Sequence, residues 1–283
     1  MIVITGATGQ LGHLVIHELL QSIPAGDIVA AVRSPEKADD LRQLGVQVRQ
    51  ADYTQPATLD SAFAGAGKLL LISSSEVGQR TAQHANVIAA AKKAGVQLLA
   101  YTSILHADST PLGLGEEHRA TEAMLQDSGL PYVLLRNGWY TENYAASIPV
   151  ALQYGVFTGA AGEGRISSAA RADYAAAAAR VLSSEGHAGK VYELAGDDSY
   201  TLAEFTAEIA RQSGKEIQYQ NMSKADFAAA LKQAGLPDGL ADMLADSDSG
   251  AEKGGLYDTS QTLSGLIGRP TTPFASVIKA ALS

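Results

Sequence analysis

A glycine-rich turn directly after a short β-branched run limits the folds open to this chain more than any other feature. The run Ile2–Thr5 has the composition of a buried strand, and an amphipathic stretch begins at Gln10. Gly6 permits a tight turn, Gly9 keeps the backbone open to a pyrophosphate, and Gly12 allows the helix to pack closely on the strand. This spacing, in this βα context, predicts a dinucleotide-binding unit.

The start of the first predicted helix supplies the groups that would hold the pyrophosphate. Backbone N–H groups at a helix N-terminus have no partner within the helix, and the helix dipole favours an anion there. We therefore predict that the turn binds the cofactor through Gly6, Ala7, Thr8, Gly9, Gln10 and Leu11.

Hydrophobic runs and amphipathic stretches alternate through the first half of the chain, as repeated βα units around a parallel sheet would require. The predicted strands are Ile2–Thr5, Ile28–Arg33, Val46–Gln50, Lys68–Ser73, Leu98–Ser103 and Tyr132–Arg136. The predicted helices between them are Gln10–Gln21, Pro35–Leu44, Pro56–Phe63, Gln79–Ala94 and Gly115–Ser128. The expected fold class is α/β, a Rossmann-type doubly wound parallel sheet with a smaller, mostly helical C-terminal lobe.

The regular alternation weakens after residue 140. We expect a helix at Arg171–Ser183, a strand at Lys190–Leu194 that returns to the sheet, and a helix at Thr201–Gln212. The polar, glycine-rich stretch from Ser247 to Gly255 is predicted to be a loop. Residues 1–140 are assigned to an NADP-binding Rossmann core, and residues 141–283 to a mixed region that forms the smaller substrate lobe.

Composition excludes several classes of function. The 283 residues are 46% hydrophobic and 18% charged, which is typical of a folded enzyme. A net charge of −9 without a basic run disfavours nucleic acid as a partner, and the absence of cysteine removes disulfides and thiolate metal sites. No apolar run reaches the length of a membrane span, and no signal peptide is recognised, so a cytoplasmic location is expected. Oligomeric state cannot be predicted.

The end of the second predicted strand indicates which dinucleotide is preferred. An acidic residue there suits the ribose hydroxyls of NAD, whereas an arginine suits the 2′-phosphate of NADP. Arg33 occupies this position, and Lys37 follows one helical turn later. Asp52, after the third strand, either meets the adenine edge or caps the next helix. NADP is therefore the predicted cofactor.

Ligands of open α/β sheets bind at the carboxyl ends of the strands. Ser73, Ser74 and Ser75 follow the fourth predicted strand, although three serines could equally finish a strand. Asn137, Gly138, Trp139 and Tyr140 follow the sixth, with Glu142 and Asn143 close behind. A single tryptophan is often a core residue, but its polar neighbours favour a loop that faces the ligand.

These motifs together resemble the NmrA-like group of atypical short-chain dehydrogenases, and more narrowly the bacterial type-2 NAD(P)H quinone oxidoreductases. The resemblance lies in Thr5–Gly12, Leu69–Gln79, Ala100–Leu112, Leu134–Asn143, Ala172–Ala178 and Leu236–Ser247. It implies reduction of a small-molecule quinone by direct hydride transfer from NADPH, without flavin or metal. The cofactor contacts that it implies fall on Gly6 to Leu11, Arg33, Ser73 to Ser75, Asn137, Gly138, Trp139, Tyr140, Thr141, Glu142 and Arg171.

The usual short-chain dehydrogenase proton donor is missing, because no Tyr-x-x-x-Lys motif follows the fifth strand. His118 and Glu122 stand one helical turn apart there and could form an acid–base pair, although a surface contact is the plainer interpretation. His13 and His17 have the spacing of a metal pair but no third ligand nearby. Asn137, Trp139 and Tyr140 are the predicted catalytic residues, because positioning can carry most of the catalysis when the acceptor is a quinone.

Two other classes of function stay open on sequence alone. A redox sensor would bind NADP(H) without turning it over, which the missing Tyr-Lys pair would favour. An epimerase-like or aromatic-ether reductase enzyme could share the fold. Such enzymes usually need a lysine or tyrosine proton donor, and none can be placed here.

Overall fold

The computed structural model describes all residues from Met1 to Ser283, which divide into two compact units. The first unit consists of Met1–Ile104, Glu116–Asn137 and Arg171–Tyr192. The second unit consists of Leu105–Gly115, Gly138–Ala170 and Glu193–Ser283. Each unit is thus assembled from three stretches of chain, and the chain passes between the units repeatedly.

Nine strands form two sheets. The strands are β1 Ile2–Thr5, β2 Ile28–Val32, β3 Gln47–Gln50, β4 Lys68–Leu71, β5 Leu98–Ile104, β6 Tyr132–Asn137, β7 Val156–Gly159, β8 Val191–Leu194 and β9 Gln218–Asn221. The large sheet has the order β3-β2-β1-β4-β5-β6-β8, and its pairs from β3 to β6 are all parallel. The order reverses between β1 and β4, which in such sheets is where ligands bind.

Thirteen α-helices connect or follow these strands. They are α1 Gln10–Leu19, α2 Asp39–Gln43, α3 Pro56–Ala62, α4 Arg80–Lys93, α5 Gly115–Ser128, α6 Thr141–Ala145, α7 Ile148–Tyr154, α8 Arg171–Ser183, α9 Leu202–Ser213, α10 Lys224–Gln233, α11 Asp238–Glu252, α12 Thr262–Ile267 and α13 Phe274–Ala281. No helix combines the length and apolar character that a membrane crossing requires.

Helices cover both faces of the sheet in the first unit. On one face, strand residues such as Val29, Leu69 and Leu99 pack with Phe63 and Val87 in a core to which α3, α4 and α5 contribute. The helices α1 and α8 pack against each other, and each also contacts strands of the sheet. Alanines along α8 keep that helix surface flat enough for α1 to approach closely. The arrangement confirms the predicted doubly wound α/β fold.

The predicted strands and helices of the first unit agree with the structure to within about two residues. One exception is the predicted helix Pro35–Leu44, which is interrupted at Ala38. A short 3₁₀ turn, Pro35–Lys37, precedes α2 there. The helix Gly115–Ser128 and the helix Arg171–Ser183 have the predicted bounds.

The second unit has its own small parallel sheet, in which β7 pairs with β9. An aromatic cluster forms its core, with the rings of Tyr200 and Phe205 5.3 Å apart and those of Tyr200 and Phe274 4.5 Å apart. Tyr144 contacts the same cluster, its ring 6.0 Å from that of Phe205. A chain segment rich in short helices is therefore held together largely by aromatic side chains.

The prediction of a loop from Ser247 to Gly255 is wrong, because α11 continues to Glu252. Asp248 is buried, and its carboxylate accepts hydrogen bonds from Tyr144 Oη (3.0 Å) and from the Ala160 backbone N–H (2.8 Å). Gly250 faces Leu112 so closely that an added Cβ would lie 2.6 Å from the Leu112 Cδ1 atom. The polar residues and glycines that suggest a loop in this segment instead make tertiary contacts from a helix.

Candidate functional site

The glycine turn joins β1 to α1 in the first unit. Gly6 has a φ of +59°, a conformation that glycine adopts without strain, and its carbonyl accepts a 2.9 Å hydrogen bond from Gly9 N. Gly9 has an ordinary φ of −75°, and a Cβ added there would meet only Gly6 O, at 3.1 Å. Because Gly9 is exposed and has no side chain, its backbone is open to a ligand. A Cβ on Gly12 would lie 2.6 Å from Gly6 O and 2.8 Å from Ala7 Cα. Gly12 therefore allows the helix to approach the turn.

The first turn of α1 exposes the backbone groups expected of an anion site. Gly9 is the N-cap and offers no side-chain cap, and the first bond of the helix runs from His13 N to Gly9 O. The N–H groups of the three residues between them therefore have no partner within the helix. Thr8, Gly9 and Gln10 are exposed, whereas Ala7 and Leu11 are buried and anchor the turn.

Arg33 follows β2, and its side chain is 69% exposed. Its Nη1 atom lies 2.8 Å from Glu76 Oε1, a contact that the sequence does not suggest. Lys37 is exposed at the end of the 3₁₀ turn. Asp52 does not cap α3, whose N-cap is Gln55.

The carboxylate of Asp52 turns instead toward residues that follow it in the chain. It accepts hydrogen bonds from Thr54 N (2.8 Å), from Thr54 Oγ1 (2.7 Å) and from Gln55 Nε2 (3.2 Å). The Thr54 hydroxyl is the main cause that lowers the pKa of Asp52, and the charge of Arg33 contributes in the same direction. The carboxylate is therefore ionised, and it keeps the chain turned between β3 and α3.

The serine segment, Ser73–Ser75, leaves the end of β4 and is fixed by side chains from β5 and α4. The Ser73 N–H donates to Thr102 Oγ1 at 2.9 Å. The Ser74 N–H donates to His84 Nε2 at 3.0 Å, and the Ser74 carbonyl accepts from Arg80 Nε at 2.5 Å. Both backbone groups of Ser74 are thus held by α4, and the segment stays partly accessible at the carboxyl edge of the sheet.

A buried polar cluster lies beneath this segment and includes His118, which the sequence interpretation placed at the surface. His118 Nδ1 lies 2.7 Å from Tyr101 Oη, and His118 Nε2 lies 3.5 Å from Arg80 Nη1. Burial, with a smaller effect of the Arg80 charge, lowers the pKa of His118 to about 3. The imidazole is therefore neutral near pH 7.

Glu122 does not pair with His118 either. It forms a nearly buried ion pair with Arg136, whose Nε and Nη2 atoms lie 2.9 Å and 2.6 Å from its two carboxylate oxygens. Ser103 Oγ donates a further bond of 2.5 Å to the same carboxylate. The i, i+4 spacing of His118 and Glu122 therefore reflects two separate buried contacts, and neither a surface pair nor an acid–base pair is formed.

Asn137 ends β6 at the carboxyl edge of the sheet, and it is only 6% exposed. Its Oδ1 atom is buried and makes no hydrogen bond within the protein. An unpaired buried amide oxygen costs about 1–3 kcal/mol unless a ligand or water supplies a donor. A ligand that placed an N–H group here would satisfy the Asn137 amide oxygen.

The remaining predicted residues divide between the units. Arg171 is the first residue of α8 in the first unit. Gly138 to Glu142 belong to the second unit, where the Trp139 carbonyl accepts a hydrogen bond from Ala169 N and the Thr141 N–H donates to Ala169 O. Trp139 is 8% exposed, with its ring 6.3 Å from that of Tyr144. This loop is therefore well anchored before α6 begins at Thr141.

His13 and His17, which have the spacing of a metal pair, both lie on α1. The rings of His13 and His17 are 4.9 Å apart, and His13 Nε2 lies 2.5 Å from Asp40 Oδ2. That hydrogen bond is the main cause that lowers the pKa of Asp40. No group of three or more potential ligands is placed to hold a metal ion.

The βαβ topology, the open glycine turn and the arginine after β2 define a dinucleotide-binding protein. The chain belongs to the NAD(P)H-binding family, whose sequence profile matches residues 6–185. It is 66% identical over 278 residues to quinone oxidoreductase 2 of Escherichia coli strain K12, covering 98% of this chain and 97% of that protein.

Solved structures extend this comparison. The Escherichia coli NADPH-dependent quinone oxidoreductase, crystallised with NADPH, matches with a TM-score of 0.98 and 65% identity over 100% of both chains. The Citrobacter sp. triphenylmethane reductase, crystallised with NADP(H), matches with a TM-score of 0.95 and 39% identity, over 99% of this chain and 100% of that one. The family resemblance and fold class predicted from the sequence are confirmed.

Proposed function

We propose that the protein is an oxidoreductase that reduces quinones with NADPH by direct hydride transfer, without flavin or metal. The observation that carries this proposal is 66% identity to quinone oxidoreductase 2 over almost the full length of both chains. The geometry of the first unit fits the cofactor, because it combines an open glycine turn, an exposed Arg33 and an unpaired Asn137 oxygen.

The phosphate end of the cofactor would be held by the first unit. The N–H groups at the start of α1 would bind the pyrophosphate, and Arg33 would pair with the 2′-phosphate. The serine segment would contribute hydroxyls and backbone groups at the neighbouring strand end. Arg171, the first residue of α8, would add a cation close to the cofactor phosphates.

When bound, NADPH supplies the hydride from its reduced nicotinamide ring. Asn137 Oδ1 is suited to accept a hydrogen bond from a carboxamide N–H, which would orient the ring and satisfy a buried oxygen. Trp139 and Tyr140 would exclude water and offer flat surfaces to an aromatic acceptor, with Gly138, Thr141 and Glu142 completing the loop.

No side chain is assigned as a proton donor. His118 is neutral and bonded to Tyr101, and Glu122 is engaged by Arg136. A reduced quinone can take its protons from water, so positioning is sufficient. We further propose that residues 1–140 form the cofactor-binding core, that residues 141–283 contribute the quinone site, and that the enzyme works in the cytoplasm on a small-molecule quinone.

The test is a panel of quinones added to purified protein, with NADPH oxidation followed at the nicotinamide absorbance. We expect sustained turnover by a colourless protein, no loss of rate with chelators, and a slower reaction when NADPH carries deuterium at the transferred position. Protein that binds NADPH but oxidises none of it with any quinone would contradict the enzyme proposal and favour a sensor.

A further inference from the structure

Glu76 follows the serine segment directly and makes the closest ionic contact to Arg33. Its Oε1 atom lies 2.8 Å from Arg33 Nη1, across 43 residues of sequence. Its Oε2 atom accepts a 2.7 Å hydrogen bond from Gln83 Nε2, and its backbone N–H donates to Ser74 Oγ at 3.1 Å. Independently of Arg33, Gln83 therefore holds the carboxylate of Glu76 and Ser74 holds its backbone.

The two ends of this ion pair differ in how firmly they are anchored. Gln83 is 5% exposed, and it extends from the first turn of α4, so the carboxylate has a fixed support. Arg33 is 69% exposed at the end of β2, where a long side chain has many accessible rotamers. The carboxylate is thus the stationary partner, and the guanidinium is the one able to swing away.

A 2′-phosphate would require the same guanidinium. Phosphate carries more charge than a carboxylate and offers three acceptor oxygens, so it forms the stronger pair with arginine. The Arg33–Glu76 pair is exposed on both sides, at 69% and 45%, and such pairs contribute little. The phosphate would therefore displace the Glu76 carboxylate from Arg33. NADPH binding would lose the free energy of the Arg33–Glu76 pair, whereas NADH binding would leave that pair intact.

We propose that Glu76 is a specificity-determining residue whose carboxylate occupies Arg33 in the absence of cofactor and competes with the 2′-phosphate of NADPH for it. This inference rests on the proposed role of Arg33 in NADPH binding. Removal of the carboxylate selectively strengthens NADPH binding, because NADH never breaks the pair. Glu76 thus reduces the ratio of the affinity for NADPH to the affinity for NADH.

The test compares Glu76→Gln with the parent protein by calorimetric titration of NADPH and NADH without quinone. The amide keeps the size of the side chain and can still bond to Gln83. We expect the Kd for NADPH to fall about two- to fivefold, the range of an exposed ion pair, with the Kd for NADH changed by less than about twofold. Glu36→Gln is the matched control, because it removes the same charge from an exposed residue near Arg33.

The same titrations in an Arg33→Ala background isolate the competition. Most of the gain from Glu76→Gln should then disappear. An equal gain without Arg33 would mean that Glu76 acts only as a repelling charge, and an unchanged or weaker NADPH affinity in the single variant would also overturn the proposal.

Failure of the proposed function gives a different signature. If Arg33→Ala alone weakened NADPH and NADH equally, the assignment of the 2′-phosphate to Arg33 would be lost. If no quinone were reduced while the titrations behaved as expected, the enzymatic proposal would fail and the role of Glu76 would stand.

Discussion

The Nε2 atom of His84 lies 3.0 Å from the backbone nitrogen of Ser74, and this contact connects the interior of the protein to the serine segment. Because the Ser74 N–H is the donor, Nε2 must be unprotonated, and the ring proton resides on Nδ1. Nδ1 lies 2.9 Å from Thr121 Oγ1, whose own hydroxyl bonds to the Glu117 carbonyl. One neutral tautomer of His84 therefore satisfies the hydrogen bonds that connect Ser74, Thr121 and Glu117.

Replacement of His84 should test this contact. His84→Leu leaves the Ser74 N–H without an acceptor, and we expect a loss of about 1–3 kcal/mol in the free energy of unfolding. His84→Gln places an amide oxygen near the position of Nε2 and should recover part of that loss. Urea denaturation measures both variants, and equal losses would show that packing rather than the hydrogen bond is at stake.

Acid should destabilise the protein in part through the same residue. Burial, followed by the charge of Arg80, lowers the pKa of His84 from 6.5 to about 4. The unfolded chain therefore takes up a proton below about pH 6.5 that the folded chain refuses until about pH 4. The stability contributed by the neutral ring is complete above pH 6.5 and is lost as the pH falls toward 4.

The measurement is the free energy of unfolding at about pH 7 and about pH 5 for the parent protein and His84→Gln. The variant should lose less stability over this interval. His118, with a pKa of about 3, contributes in the same direction in both proteins and cancels in the comparison. An identical loss in the two proteins would show that folding does not lower the pKa of His84.

Substitutions at Gly9 and Gly12 should separate an effect on cofactor binding from an effect on folding. Gly12→Ala forces a Cβ to within 2.6 Å of Gly6 O and 2.8 Å of Ala7 Cα, so we expect a loss of about 1–3 kcal/mol in stability. A Cβ added at Gly9 meets only Gly6 O, at 3.1 Å, so Gly9→Val should disturb folding less than Gly12→Ala does while weakening NADPH and NADH alike. Thermal unfolding and calorimetric titration distinguish the two effects.

Asn137 offers a prediction about turnover. Asn137→Ala removes the oxygen that we assign to ring orientation and leaves the phosphate contacts untouched. We expect kcat to fall about tenfold, which corresponds to the loss of one hydrogen bond worth about 1.4 kcal/mol. The Kd for NADPH should change by less than about threefold. A large rise in Kd with kcat unchanged would assign Asn137 to cofactor affinity instead.

Local sequence patterns were sufficient for most elements of the first unit. The strand Ile2–Thr5 and the helix Arg171–Ser183 have the predicted bounds because hydrophobic periodicity and the adjacent turn signals are properties of neighbouring residues. The glycine turn was predictable for the same reason, since Gly6 acts through its own positive φ, and Gly9 and Gly12 face backbone atoms a few residues away.

Contacts between distant residues were not predictable in this way. Glu76 meets Arg33 across 43 residues, and nothing in either local pattern indicates the partner. The one-turn spacing of His118 and Glu122 suggested a surface contact between them, yet His118 is buried against Tyr101 and Arg80. A buried polar network has no periodic signature, so only the tertiary structure reveals it.

Asp248 shows the same limitation and gives the last prediction. Its two hydrogen-bond donors, Tyr144 Oη and the Ala160 N–H, lie 104 and 88 residues away in sequence. Burial raises the pKa of this carboxyl from 3.8 to about 6, although both hydrogen bonds oppose the shift. The stability that it contributes is therefore fully present below about pH 3.8 and is lost as the pH rises through 6.

Replacement of Asp248 by Asn should reverse this loss near neutral pH. The amide oxygen can accept from the Ala160 N–H, and the amide N–H₂ can donate to the Tyr144 hydroxyl, which turns to accept it. We expect Asp248→Asn to be at least as stable as the parent at about pH 8, and its advantage should shrink toward pH 4. Asp248→Ala, which leaves both donors unpaired, should lose about 1–3 kcal/mol. Urea denaturation across this range measures both variants, and a pH-independent difference between parent and Asp248→Asn would mean that the carboxylate is ionised in the folded protein without a penalty.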